Sequence, residues 1–183
     1  TGSHASSLPG IEIDEKRIVS STGALALASV PKKLVVIGAG YIGLELGTVW
    51  ARLGAEVEVI EFLPRILPGM DDEIAKKFMA IAKKQGLNFR LKTAVKSAKT
   101  TKSGVSLTVE PADGGTAEVI KADIALVAVG RHPATDGLGL EAVGVSLSER
   151  GRIKVDSRFE TSVENVFAIG DVIDGPMLAH KAE

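Results

Sequence analysis

Three glycines and one acid form the arrangement in this sequence with the plainest chemical use. Gly38, Gly40 and Gly43 stand in the spacing G-x-G-x-x-G within Leu34-Val35-Val36-Ile37-Gly38-Ala39-Gly40-Tyr41-Ile42-Gly43-Leu44-Glu45. That spacing suits the binding of a pyrophosphate. Gly38 lets the chain turn sharply out of a strand, Gly40 lets a phosphate approach the backbone, and Gly43 lets a new helix pack close to a sheet. The helix then presents its free N–H groups and positive dipole end to the anion. The same letters also describe an ordinary glycine-rich turn, so the flanks must decide.

They favour the first reading. An apolar, β-branched run from Leu34 to Ile37 reads as a strand buried on both faces, followed by a helix from about Tyr41 to Leu53. After Gly54, Ala55-Glu56-Val57-Glu58-Val59-Ile60-Glu61 reads as a second strand that ends in an acid. Glu61 lies about 20 residues beyond the glycines, where a carboxylate accepts hydrogen bonds from the hydroxyls of an adenosine ribose. The strand–turn–helix–strand context selects that role over a solvated strand-end glutamate. No base follows until Arg65. A 2′-phosphate about 4 Å from the carboxylate would be repelled by about 4 kcal/mol at an effective dielectric of 20. NAD is therefore expected rather than NADP.

The elements that must position these residues follow from the patterning. Residues 1–31 are loop-rich, with a turn at Leu8-Pro9-Gly10 and a short capped helix after Ser20-Ser21-Thr22. Asp71 or Asp72 caps a helix to about Gln85, with Ile74, Phe78 and Ile81 or Ala82 as its core stripe. From Asn88 the period shortens. A short strand at Phe89–Leu91 precedes a meander over 94–99, 105–110 and 117–121, turned by Gly104 and Asp113-Gly114-Gly115. Asp123 to Gly130 reads as another buried strand, and Gly130 fits either a simple turn or a place beside a cofactor at the carboxyl end of the sheet. A short helix over 138–143, a small strand over 152–155 and a buried strand over 166–171 complete the reading. The expected fold is α/β, a Rossmann-like parallel sheet with helices and an added antiparallel β-meander.

Composition excludes several function classes. A formal charge of −1 with interspersed signs offers no basic face for nucleic acid. No segment approaches a membrane span. With no cysteine, these residues supply no disulfide, thiolate metal site or thiol nucleophile. His4, His132 and His180 are the only histidines and lie far apart in sequence, so no metal cluster is expected.

Three spaced segments carry a resemblance: Gly-Ala-Gly-Tyr-Ile-Gly-Leu-Glu (38–45), Val-Ala-Val-Gly-Arg-His-Pro (127–133) and Val-Phe-Ala-Ile-Gly-Asp-Val (166–172). Together they resemble the flavin-dependent pyridine nucleotide–disulfide oxidoreductases. Glu61-Phe62-Leu63-Pro64-Arg65-Ile66-Leu67-Pro68 and the stretch 175–183 are similar to the dihydrolipoyl dehydrogenase branch. The resemblance implies three divisions: 1–30 leaving an FAD domain, 31–150 binding NAD, and 151–183 returning to the FAD domain.

It also implies residue roles. Gly38, Ala39, Gly40, Tyr41, Ile42, Gly43, Leu44 and Glu45 would hold the NAD pyrophosphate and Glu61 the adenosine ribose. Val95 would touch the adenine and Gly130 the nicotinamide side. Glu45, otherwise an ordinary exposed helical glutamate, would stand near the nicotinamide and flavin rings, and Tyr41 matches the position of an aromatic gate in some members. Thr1, Gly2, Ser3, Asp171, Met177, Leu178, Ala179 and His180 would border FAD. The family's cysteine pair, its first FAD fingerprint and its His–Glu acid/base pair have no counterpart here, so the chain alone is expected to be inactive. The implied enzyme is a homodimer that serves a 2-oxo acid dehydrogenase complex, in a mitochondrial matrix or a bacterial cytoplasm. The alternatives are the NAD(P) module of another disulfide reductase, of mercuric or glutathione type, and a non-catalytic nucleotide sensor.

Overall fold

A computed structural model describes all residues 1–183, and they form two compact units. One comprises Ser6–Gly130; the other comprises Thr1–Ala5 and Arg131–Glu183. This grouping differs from divisions at 30 and 150. Residues 6–30 join the first unit because Ile11 and Ile18 enter its core, and residues 131–150 join the second, whose core includes Leu140, Val145 and Leu147.

In chain order the elements are β1 (Ser3–Ala5), β2 (Ile18–Val19), α1 (Ser21–Leu25), β3 (Lys33–Ile37), α2 (Tyr41–Arg52), β4 (Glu56–Ile60), α3 (Asp72–Lys84) and β5 (Leu87–Arg90). They continue as β6 (Thr93–Thr101), β7 (Gly104–Pro111), β8 (Glu118–Ala122), β9 (Ile124–Val127), β10 (Arg131–Pro133), α4 (Leu140–Val143) and α5 (Ala179–Ala182), with a 3₁₀ turn at Gly170–Val172 before α5. No helix is long and apolar enough to cross a membrane.

The first unit is built on a five-stranded, wholly parallel sheet of order β2-β9-β3-β4-β5. Side chains alternate across such a sheet, and the two resulting sets enter two different cores. Leu34, Val36, Val57, Val59, Ile124 and Leu126 pack with the helices. Val35, Ile37, Ile60, Ala125 and Val127 pack with the antiparallel meander β6-β7-β8. That double burial is why β3 and β9 read as continuous apolar runs.

Charge also lies on the meander side. Glu58 is buried and pairs with Lys33 at 3.0 Å and with Arg90, which reaches on to Glu118 of β8. Burial pushes the Glu58 carboxyl up, but hydrogen bonds from Lys33 and Arg90 outweigh it and hold the carboxyl below its ordinary value.

Three expectations need correction. Of the stripe expected on α3, Ala82 is buried and Phe78 packs against the core, but Ile74 and Ile81 are exposed, and Ala75 and Met79 complete the inward face instead. Small alanines are the residues turned into the core. The run 166–171 is not a buried strand: Phe167 makes one isolated bridge to Glu160, and Phe167 and Ile169 are 58% and 57% exposed. No second strand of the chain pairs with it. The strand expected over 152–155 is only a bridging residue, Ile153, paired with Leu147 and Ile173.

Candidate functional site

The glycine loop joins β3 to α2 at the carboxyl end of the parallel sheet. Each glycine meets a different environment. Gly38 has φ +101°, and a Cβ there would lie 2.4 Å from the carbonyl oxygen of Ala128. At Gly43 a Cβ would lie 2.3 Å from the carbonyl oxygen of Gly38 and 3.0 Å from Val36. Both positions are glycine because the protein's own backbone fills the space. At Gly40 nothing lies within 4 Å, and its φ of −76° suits any residue. No contact within the protein requires glycine there; a group from outside, approaching the backbone closely, would.

Gly40 also begins α2 with no side-chain cap. The electropositive end of a twelve-residue helix is thus left for an external acceptor.

Glu61 stands at the end of β4 and is 8% exposed. Its Oε2 accepts the N–H of Ala39 at 2.7 Å, and its Oε1 accepts the N–H of Leu63 at 2.8 Å. The carboxylate therefore ties the glycine loop to the strand end. A carboxylate has about four acceptor sites, so two remain for hydroxyl donors. The backbone holds the residue on both sides, with its N–H bonded to Arg90 O and its carbonyl to Thr93 N–H, each at 2.9 Å.

The remaining predicted residues of this unit are placed as follows. Tyr41 and Glu45 share one exposed face of α2, four residues apart. Ile42 and Leu44 pack inward. Val95 is half-buried on β6 just before a bulge. Gly130 has φ +129° and its carbonyl accepts the Ser6 N–H at 2.9 Å; a Cβ there would meet only Ser6 Oγ, at 3.9 Å.

In the second unit the predicted residues Ser3 and Asp171 meet. Ser3 Oγ donates to Asp171 Oδ2. Arg131 Nε donates to Ser3 Oγ at 2.6 Å, Arg131 Nη2 donates to Ser3 O at 2.6 Å, and the guanidinium lies 4.0 Å from Asp171. The sequence offered no signal for Arg131 as Asp171's partner, because β1 and β10 join segments 128 residues apart. Thr1 and Gly2 lead into β1, and Gly2 accepts the Ala134 N–H at 2.9 Å. Met177 and Leu178 lead into α5, which holds Ala179 and His180. No three His, Cys, Asp or Glu side chains gather as a metal cluster.

Comparison with known proteins agrees with this geometry. The family model for pyridine nucleotide-disulphide oxidoreductases matches residues 1–183. The mitochondrial dihydrolipoyl dehydrogenase of Pisum sativum is 60% identical over the whole chain, which spans 36% of its length. A leghemoglobin reductase of Glycine max is also 60% identical over the whole chain, covering 35% of that protein. Among solved structures, an HOCl-induced flavoprotein disulfide reductase from Escherichia coli matches all of the chain and 41% of its own with a TM-score of 0.88 and 31% identity. LpdA from Mycobacterium tuberculosis matches all of the chain and 39% of its own, with a TM-score of 0.89 and 29% identity.

Proposed function

Because the chain belongs to the pyridine nucleotide-disulphide oxidoreductase family, we propose that it is the NAD-binding part of a flavin-dependent dihydrolipoyl dehydrogenase. The observation that carries this reading is Gly40, a glycine facing open space at an uncapped helix start. Identity to enzymes of that name over the full 183 residues supports the choice within the family. The chain spans only about a third of those relatives, so the activity, substrate and partners belong to this proposal.

When bound, NAD would accept hydride from reduced FAD, and FAD would be reduced through the redox disulfide that dihydrolipoamide reduces. The residues here bind and orient. Residues Gly38 to Glu45 form the loop and helix start that hold the pyrophosphate, and Gly38, Ala39 and Leu44 shape it, since their N–H groups are bonded to Ile60 O, Glu61 Oε2 and Gly40 O. Glu61 uses its two remaining acceptor sites for the adenosine ribose hydroxyls and repels a 2′-phosphate. Val95 gives the adenine an apolar contact, Gly130 offers backbone toward the nicotinamide, and Glu45 stands beside the nicotinamide and flavin rings with Tyr41 on the same helix face. Asp171, which Ser3 and Arg131 hold, would accept a hydrogen bond from the FAD ribityl chain. Thr1, Gly2 and residues 177–180 border FAD through backbone groups.

The enzyme would work as a homodimer with a 2-oxo acid dehydrogenase complex. Relatives named as mitochondrial favour the mitochondrial matrix over a bacterial cytoplasm. A second reading, another flavoprotein disulfide reductase, is favoured by the relatives that bear other names.

Fluorescence titration with NADH and NADPH tests the nucleotide site. NADH is expected to bind more tightly, and Glu61→Ala to weaken it by about 1.5–3 kcal/mol, the range for a charged hydrogen bond. Equal affinity for the two nucleotides would remove Glu61 from its role. Turnover of dihydrolipoamide by a full-length flavoprotein carrying this segment separates the two readings.

A further inference from the structure

His4 and His132 are 128 residues apart, yet they lie directly opposite each other in the β1–β10 ribbon. Their ring centroids are 5.7 Å apart and the rings are inclined at 51°. Both residues are exposed, and no hydrogen bond or ion pair ties either imidazole to another group.

Side chains alternate along a strand. Ser3 and Arg131, which bond to each other and to Asp171, therefore occupy the opposite face of the ribbon from the two histidines. No cation of these two strands shares the histidine face.

Two neutral imidazoles are the favoured donors for late first-row divalent metals. With metal–nitrogen distances of about 2.0–2.1 Å, imidazoles sharing one ion keep their centroids roughly 4.5–6 Å apart. The observed separation falls in that range. We infer that His4 and His132 form a two-imidazole chelate for a divalent late first-row metal ion, with water completing the coordination. Affinity follows the order copper(II) above nickel(II) and zinc(II). Since only the folded ribbon brings the two rings together, the ion clamps β1 to β10 and stabilises the chain by mass action.

The test uses the 183-residue chain with one equivalent of copper(II) in chelator-free buffer, read by electron paramagnetic resonance and by the thermal midpoint. The expected spectrum carries two equatorial imidazole nitrogens, and the midpoint rises with copper but not with magnesium. Either His4→Ala or His132→Ala abolishes the two-nitrogen signature. Each lowers affinity by at least the ~10–100-fold that losing even an outer-shell partner costs. If an alanine variant melts early without metal, His4→Gln or His132→Gln replaces it. A single coordinated imidazole in the unsubstituted chain overturns the proposal. So does copper binding that survives His132 substitution, which would place the ion on His4 and the terminal amine.

Discussion

The sheet unit and the second unit contain closely similar sequence runs with different fates. Leu34–Gly38 and Ile124–Gly130 are apolar stretches ending in glycine, and each supplies a parallel strand, β3 or β9, with neighbours on both sides. Val166–Gly170 is likewise apolar and ends in glycine, yet it makes one isolated bridge and leaves Phe167 and Ile169 exposed. An apolar β-branched run gives a chain the means to be a buried strand; the partner strand makes it one. In the first unit a helical layer and a meander also cover the two faces of the sheet. In the second, a small cluster around Val145, Ile153, Val172 and Ile173 does the packing.

The sharpest way to break that comparison is to remove bulk from each run. Leu126→Ala, at a fully buried position of β9, is expected to cost about 2–5 kcal/mol of stability by denaturant unfolding. Ile169→Ser, in the exposed run, is expected to change stability by no more than about 0.5 kcal/mol. Comparable losses at the two sites would mean that the 166–170 run is buried in solution.

A smaller contrast lies inside the glycine loop. Gly43→Ala forces a Cβ against the Gly38 carbonyl and should destabilise the fold by about 1–3 kcal/mol, as overpacking does. Gly40→Ala meets open space, so folding stability should stay within about 1 kcal/mol. Its NADH affinity should nevertheless fall roughly tenfold, about 1.4 kcal/mol. Unchanged NADH binding in Gly40→Ala would leave that glycine without the ligand argued for it.

The loop and its acid were legible because each is a local pattern: strand, glycine spacing, helix, then Glu61. The parallel strands were legible for the same reason, since double burial writes itself as a continuous apolar run. Elements fixed by distant pairing were not. β1 and β10 are three residues each, and only their mutual register makes them strands. The knot of Ser3, Arg131 and Asp171 and the facing pair of His4 and His132 depend on that register. On α3, helical spacing pointed to Phe78 and Ala82 but put Ile74 where Ala75 turns inward. Buried Ala75 and Ala82 leave room for the neighbouring elements to approach, a packing matter that hydrophobicity of single residues does not encode. Glu58 escaped notice because its partners Lys33 and Arg90 come from adjacent strands.

The smallest expected effect concerns acid. Asp14, in the loop before β2, accepts N–H bonds from Lys16, Arg17 and Ile18 through Oδ1, and its Oδ2 accepts the Thr100 hydroxyl of β6 at 3.0 Å. Burial pushes the carboxyl up, but these four donors outweigh it and lower its pKa from 3.8 to about 2. A carboxyl lowered on folding contributes stability that is fully present above its unfolded value and is lost as pH falls through its folded value. The window here runs from about 4 down to about 2. Asp14 is exposed, so solvent screening keeps the contribution below about 1 kcal/mol. Asp14→Asn keeps an acceptor for the backbone N–H groups but removes the charge. Unfolding midpoints should therefore fall less steeply between about pH 4 and pH 2 in the variant than in the unsubstituted chain. Superimposable acid profiles would show that the Asp14 turn does not connect folding of the β2 edge to the meander through charge.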